Sequence, residues 1–164
     1  MAALRYIALF LLLALAGCGY SFGEEGTSVL APQFHALAVG EINNPTTLAW
    51  LEPRLRKLLR DELHNRGTIT WVDDRDQADA IIDIDITRYN RPTAVEDKDE
   101  RTLLSDAVFR FNATIRSTTD DSVLWRSGQI AESWPFDYGN GEQADMEVTL
   151  RGIQRLADRL TQDY

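Results

Sequence analysis

Cys18 is the residue with the clearest capacity for chemistry, because it is the only cysteine of the chain and a thiolate is a strong nucleophile. It follows the basic residue Arg5, an apolar run over residues 6–15 and two small residues at positions 16 and 17. This order is typical of an export signal. We therefore expect residues 1–17 to be a cleaved signal peptide and Cys18 to take a diacylglycerol group.

The segment that ends at the cysteine, Leu15-Ala16-Gly17-Cys18, matches the lipobox of bacterial lipoproteins. Lipidation also accounts for a lone thiol, which has no disulfide partner within the chain. The alternative is an ordinary signal peptide with a chance cysteine. A transmembrane helix is disfavoured, since it needs roughly 20 apolar residues. Gly19, and not an aspartate, follows the cysteine, and by resemblance to enterobacterial sorting this predicts the outer membrane.

Other residues with chemical potential do not form a catalytic or metal-binding pattern. Asp83 and Asp85 share a face of a predicted strand without a third ligand, so a solvated face is the favoured interpretation. His35 and His64 have no nucleophile or metal-ligand spacing around them. The motifs of serine hydrolases, phosphate loops and paired cysteines are absent from the sequence. We expect no catalytic residue, no cofactor and no metal.

Four basic residues are candidates for binding an anion. Arg88 and Arg91 end a predicted strand, whereas Lys98 and Arg101 lie in the polar loop over residues 90–106. If that loop closes a hairpin, the four side chains cluster at one end of the sheet. Guanidinium groups bind phosphate through charge-assisted hydrogen bonds, often two at a time. The alternative is a solvated loop in which acidic residues offset the basic ones.

The net charge restricts the classes of partner. The whole chain has a formal charge of −9, and loss of residues 1–17 removes one arginine and no acid, which leaves −10. Such a chain has no general attraction for nucleic acid or for an anionic membrane surface. We therefore expect membrane contact through the N-terminal lipid, and no nucleic-acid partner.

The periodicity of apolar residues predicts the elements that must position these candidates. We expect a lipidated tether over residues 18–33, with a short strand at 19–22, and one domain over residues 34–164. Alternating residues predict strands at 35–40, 68–72, 80–89, 108–117 and 122–134. Helical spacing predicts helices over 47–65 and 141–160. Pro53 favours a first-helix start nearer residues 50–52, because an interior proline costs about 3 kcal/mol.

Both predicted helices carry an apolar stripe on one side. The first stripe consists of Leu48, Leu51, Leu55, Leu58, Leu59 and Leu63, and the second of Met146, Leu150, Ile153, Leu156, Ala157 and Leu160. In the strand at 80–89, Ile82, Ile84 and Ile86 face one way and Asp83 and Asp85 the other. This pattern predicts an α+β two-layer sandwich, with two amphipathic helices on one face of a mostly antiparallel sheet of four to five strands.

Several short segments together resemble the LptE family of lipopolysaccharide-assembly lipoproteins. Cys18-Gly19-Tyr20-Ser21-Phe22 is similar to the start of those proteins. The first strand and helix, from Leu37 to Leu63, the segments Val72-Asp73-Asp74 and Ala78-Asp79-Ala80, and Val123-Leu124-Trp125-Arg126 before the last helix follow in the family's order. The resemblance extends over essentially the whole mature chain.

This resemblance implies a non-enzymatic plug within the outer-membrane β-barrel LptD, which assists barrel assembly and delivery of lipopolysaccharide to the outer leaflet. It also implies that basic residues in loops at one end of the fold contact lipid A phosphates, and the loop with Lys98 and Arg101 is similar to such a loop. Together with Arg88 and Arg91 at the strand end, these are the candidate lipopolysaccharide-binding residues. The loop over residues 137–145, where the family pattern has a further basic residue, has none here. The alternative is a different outer-membrane lipoprotein that acts as another assembly factor or as a periplasmic binding module.

Overall fold

The computed structural model of the protein describes residues 34–67, 69–92, 105–137 and 139–161. The signal peptide, the tether and the strand at 19–22 lie outside these residues. The elements in chain order are β1 (Ala36–Asn43), α1 (Leu51–Arg66), β2 (Thr70–Trp71), β3 (Ala80–Asn90), β4 (Ser105–Ser117), β5 (Val123–Phe136) and α2 (Gly141–Thr161). A single 3₁₀ turn, Arg75–Gln77, precedes β3.

The five strands form one sheet in the order β2-β1-β3-β4-β5, and both helices pack on the same face of it. The two-layer α+β prediction is confirmed. The sheet is mixed: β3, β4 and β5, which supply most of the strand pairing, are antiparallel, in agreement with the mostly antiparallel sheet that we predicted, whereas β1 runs parallel to both β2 and β3. The reason is that α1 connects β1 to β2 as a crossover, which returns the chain in the same direction.

Helix α1 begins at Leu51, as Pro53 indicated, and not at residue 47. A proline in the first turn loses no hydrogen bond, since the first N–H groups of a helix have no partner within it. Gly67, with a φ of 67°, ends the helix. The leucines of the stripe that are fully buried follow at intervals of four residues: Leu51, Leu55, Leu59 and Leu63.

Helix α2 is buried along the predicted stripe in its second half, whereas its first turns bury other residues than the one that we predicted there. Ile153, Leu156, Ala157 and Leu160 are buried as expected, but Met146 is 45% exposed and that part of the prediction was wrong. Helix α2 approaches the sheet closely at Gly152, where a Cβ atom would lie 3.0–3.1 Å from the rings of Phe109 and Phe111. Gly152 belongs to the buried side of the helix, together with Ala144 and Val148, whereas Met146 lies outside that side.

The sheet has one face covered by the helices and one face without a helix, which we call the open face. Ile82, Ile84 and Ile86 are buried on the covered face, and the side chains between them are polar and wholly or partly exposed, as predicted. Four register shifts interrupt the pairing of the described strands: one between β1 and β3, one between β3 and β4, and two between β4 and β5. One of them lies before Arg88 in β3, and another lies at Gly128 in β5, where φ is 63°. None of the helices in the described part of the chain is both long and apolar enough to cross a membrane.

Candidate functional site: a cleft where both helices begin

A cleft of about 590 Å³ lies at the end of the fold where both helices begin. Its walls come from the residue before α1, the first turn of α1, the residue after β3 and the first turns of α2. The lining side chains are Trp50, Arg54, Arg91, Glu142, Asp145 and Met146. Because the N-terminus of a helix carries partial positive charge, this end of the domain favours anions more than the opposite end does.

Arg91 is held in a fixed position at the edge of the cleft. Its Nε atom lies 3.0 Å from Oδ1 of Asp145, and its guanidinium carbon lies 5.9 Å from the ring centroid of Phe136. Gly141 makes room for the side chain, since a Cβ atom at that position would overlap Nη1 of Arg91. These contacts position the guanidinium while the side chain stays 42% exposed, so part of it remains open to a ligand.

Asp145 connects Arg91 to the sheet. Its carboxylate, only 13% exposed, also accepts a hydrogen bond from the hydroxyl of Tyr89. Burial, and then the neighbouring Asp145 carboxylate, raise the pKa of Tyr89 well above its usual range. Tyr89 therefore remains protonated and keeps donating to Asp145 at neutral pH. The carboxylate thus accepts from Tyr89 and pairs with Arg91, and the charges of Asp145 and Arg91 partly offset each other.

The side chain of Arg54, which belongs to α1, forms hydrogen bonds with α2. Its Nε atom donates to Oγ1 of Thr149 at 2.8 Å, and Nη2 donates to the carbonyl of Met146 at 3.0 Å. Thr149 is fully buried, and its hydroxyl in turn donates to the carbonyl of Asp145 at 2.7 Å. The guanidinium is thus fixed on one edge by α2, and its Nη1 group is not used by these bonds.

The cleft also has an apolar wall. Trp50 is 37% exposed and Met146 is 45% exposed, and they are two of the three large hydrophobic side chains that are exposed in the described residues. The ring of Trp50 stands edge-on to that of Tyr89, with centroids 5.7 Å apart. The cleft therefore combines two fixed guanidinium groups with exposed apolar surface, a composition suited to an amphipathic anion.

The structure separates two of the predicted binding residues from each other. The bulge in β3 places Arg88 opposite Arg110 of β4 on the open face, whereas Arg91 reaches α2 on the covered side. Lys98 and Arg101 lie outside the described residues, as does Cys18. Arg91 packs against Gly141 and Asp145, at the start of α2.

Arg54 and Trp50 were missed by sequence reasoning. Arg54 is one of three basic residues in the first two turns of α1, with Arg56 and Lys57, and no spacing distinguishes it from the other two. Trp50 follows a turn and belongs to no periodic pattern. Only the packing of α1 against α2 brings these side chains to Arg91.

The open face is polar, and its acids are engaged in local contacts. Asp83 lies 2.7 Å from Nη2 of Arg116 and accepts a hydrogen bond from the backbone of Glu41 at 2.9 Å. Asp85 accepts a hydrogen bond from the Asn43 amide at 2.8 Å. These contacts agree with the interpretation of the two aspartates as part of a solvated face. No group of three possible metal ligands occurs within the ranges that the structure describes.

Comparisons with known proteins agree with this architecture. The structure of lipoprotein B from Nitrosomonas europaea is similar, with a TM-score of 0.55 and 14% identity over 86% of this chain and 90% of that one. The PelC dodecamer from Paraburkholderia phytofirmans contains a similar chain, with a TM-score of 0.54 and 10% identity over 79% of this chain and 93% of that one. Identities this low indicate a shared fold alone.

The sequence itself gives the family. No curated protein matches the chain significantly. A model of the family LptE, described as lipopolysaccharide-assembly, matches residues 34–163. This match includes every helix and strand of the described domain, from β1 to α2, and it confirms the resemblance found in short segments of the sequence. The chain therefore belongs to the LptE family of lipopolysaccharide-assembly proteins.

Proposed function

We propose that this protein is an outer-membrane lipoprotein that assembles with the LptD barrel, plugs it and assists the delivery of lipopolysaccharide to the outer leaflet. The observation that carries the delivery role is the cleft, where fixed guanidinium groups lie beside exposed apolar side chains. Lipid A presents phosphate groups next to acyl chains, so it is complementary to such a cleft. The role is binding and assembly, and not catalysis.

In this proposal Arg91 and Arg54 contact a lipid A phosphate, and Trp50 and Met146 contact the apolar part of the lipid. Lys98 and Arg101, which follow Arg91 closely in the sequence and lie outside the described residues, contribute further positive charge in this proposal. Arg88 adds charge at the same end of β3 from the open face. The whole chain is acidic, so these residues must act at short range, within about 10 Å at 0.1 M salt.

The plug role is supported by the open face of the sheet. The lumen of a large outer-membrane barrel is polar, and the open face presents charged and amide side chains with few apolar ones. We propose that this face lies against the lumen wall, with the signal peptide over residues 1–17 removed and the domain over residues 34–164 tethered by residues 18–33. The lipid on Cys18 then holds the protein on the periplasmic side of the outer membrane.

Affinity purification from detergent-solubilised membranes tests the assembly role. The full chain is expected to bring down one large β-barrel in stoichiometric amount. An open-face variant, Arg110→Glu/Arg126→Glu, should lose most of the barrel, whereas Lys57→Glu on the outer side of α1 should retain it. Capture of a small ligand without a barrel would favour the alternative, a periplasmic binding module.

The anchor is tested separately with Cys18→Ala. This variant should accumulate as unprocessed precursor and should not incorporate radioactive palmitate, because the thiolate is the acyl acceptor. Palmitate labelling of the variant would contradict the lipobox interpretation.

The lipid site is tested by binding of labelled lipopolysaccharide at low salt, where charge contributes most. Arg91→Ala and Lys98→Ala/Arg101→Ala should each weaken binding by about tenfold, which corresponds to about 1.4 kcal/mol. Arg60→Ala, which removes an exposed arginine that pairs with Asp73, is the control and should bind as the wild type does. Equal affinities for all variants would return these residues to the solvated-surface interpretation.

A further inference from the structure

Three arginines follow one another along the side of α2 that lies over β5. Arg151, Arg155 and Arg159 are spaced by four residues, so they project from the same side of the helix. Arg151 lies over the ring of Trp134, with its guanidinium carbon 4.2 Å from the centroid. Arg155 pairs with Glu132, whose side chain is 9% exposed. We call these three residues the arginine row.

The third arginine of the row binds the backbone of β5. Nη1 of Arg159 donates to the carbonyl of Ser127 and, at 3.4 Å, to that of Gln129. These two residues flank Gly128, the bulge position with a φ of 63°. Strand carbonyls lie in the plane of the sheet, and the inner side of β5 is occupied by β4. The guanidinium therefore reaches these carbonyls from the outer edge.

The outer edge of β5 is the longer of the two sheet edges. The strand has 14 residues, and within the described part of the chain it pairs on one side only, with β4. The opposite edge consists of β2, which has two residues, and of the part of β1 that β2 does not pair with. A long edge presents unpaired N–H and C=O groups to any strand that approaches, and proteins commonly block such edges with charges and bulges.

We propose that the arginine row holds the outer edge of β5 closed against strand pairing with a second copy of this chain, and so keeps the domain monomeric. A second copy is the matching occupant because two identical edges can pair antiparallel about a two-fold axis, in which each contact occurs twice. In that arrangement the row of one copy approaches the row of the other, and like charges repel.

The row closes the edge in two ways that reinforce each other. Arg159 occupies two backbone acceptors that an added strand would need, and the bulge at Gly128 interrupts the regular spacing of the edge. Arg151 and Arg155 are exposed beyond their contacts with Trp134 and Glu132, so they keep positive charge beside the remaining residues of the strand. This inference does not depend on the barrel partner or on lipid binding.

The test compares two variants of the full chain at one detergent concentration. Arg151→Gln/Arg159→Gln removes two members of the row and leaves Arg155 to pair with the partly buried Glu132. Arg60→Gln/Arg110→Gln makes the same change in net charge at exposed positions away from the row. Sedimentation velocity over a concentration series measures association, and amide hydrogen exchange measures protection of each strand.

The wild type and the control variant are expected to stay monomeric. The row variant is expected to dimerise with a dissociation constant at least about tenfold lower than that of either, with slower amide exchange in β5. Addition of Ser133→Lys, which places a new charge on an exposed position of the edge, should restore the monomer. A folded row variant that stays monomeric, or one that dimerises without protection of β5, would overturn the proposal.

If the row variant fails to fold, Arg159→Lys tests the same idea, because lysine keeps the charge but lacks a fork of donors. It should shift the equilibrium toward the dimer by a smaller factor than the loss of the row. An unshifted monomer in a folded Arg159→Lys chain, together with no dimer in folded Arg151→Gln, would also overturn the proposal.

Discussion

The two faces of the sheet are made by the same strands and yet have opposite properties. On the covered face, isoleucines of β3 and the rings of Phe109 and Phe111 are fully buried against the helices. On the open face, alternate residues of the same strands are aspartate, asparagine, threonine and arginine, with ion pairs such as Arg116 with Asp83. The covered face determines the fold, whereas the open face can change charge with little cost and is free to meet a partner.

The cleft lies on the covered side of the sheet, at the end where both helices begin. The covered side is not wholly apolar there, since Asp145, Tyr89 and Arg91 form a hydrogen-bonded group. A polar group at the edge of a core must satisfy its bonds, because an unsatisfied buried polar atom costs about 1–3 kcal/mol. Arg91 and Arg54 are therefore held in place by the helices, whereas Arg88 lies among the solvated residues of the open face.

The largest expected effect comes from placing a charge on the covered side. Leu59 is 1% exposed, so Leu59→Asp buries a carboxylate without a partner. We expect a loss on the order of 4 kcal/mol or more, which is a large part of the 5–15 kcal/mol typical of a domain. Urea unfolding followed by tryptophan fluorescence measures it.

The matched change on the open face is Ala131→Asp. Ala131 is exposed and lies opposite Arg110, so the new carboxylate stays hydrated beside a positive charge. The free energy of unfolding should change by no more than about 0.5 kcal/mol. Similar losses of stability in Leu59→Asp and Ala131→Asp would contradict the difference between a buried covered face and a hydrated open face.

The contrast between the faces also decides what the sequence could predict. Alternation in β3 and the four-residue spacing of leucines in α1 were enough for the two-layer fold, because each periodicity specifies one buried side. The direction of β1 relative to β3 could not be obtained in this way, since parallel and antiparallel pairing leave the same alternation. The stripe of α2 was partly missed because Gly152 has no apolar side chain, although its close approach to Phe109 sets the position of the helix.

The candidate site was harder to predict than the fold. Arg91 was found from its position at a strand end, but its partner Asp145 is 54 positions further along the chain and has no marked pattern around it. Arg88 was grouped with Arg91, but a bulge before Arg88 places its side chain on the open face. The residue types around this bulge do not indicate it. Such contacts depend on register and packing, which a single sequence does not specify.

A smaller effect is expected from a change that displaces Arg91 from the position in which its neighbours hold it. Gly141→Ala would place a Cβ atom where Nη1 of Arg91 now lies, so the guanidinium must move away from Asp145. If Arg91 binds a lipid A phosphate as proposed, affinity for lipopolysaccharide should fall by about tenfold. Gln143→Ala, at an exposed and uncharged position that does not line the cleft, is the control and should bind as the wild type does. Wild-type affinity in Gly141→Ala would show that the fixed position of Arg91 is irrelevant.

The smallest effect concerns Tyr89 and appears only at alkaline pH. The raised pKa of Tyr89 means that the folded protein keeps a proton which the unfolded chain releases near pH 10. Stability is therefore fully present below pH 10, and it falls as the pH rises above that value, because unfolding then releases a proton. From about pH 9 to about pH 11, the wild type should lose more stability than Tyr89→Phe does.

At neutral pH the same substitution removes one hydrogen bond to Asp145, at a cost of about 1 kcal/mol, and the carboxylate keeps Arg91 as its partner. The free energies of unfolding of the wild type and of Tyr89→Phe should therefore converge as the pH rises. The reference for the other titrating groups is Tyr89→Phe itself, because it keeps all of them and lacks only the Tyr89 hydroxyl. If wild type and Tyr89→Phe run parallel up to about pH 11, the hydroxyl is not coupled to Asp145, and the cleft lacks the rigid edge that distinguishes it from the open face.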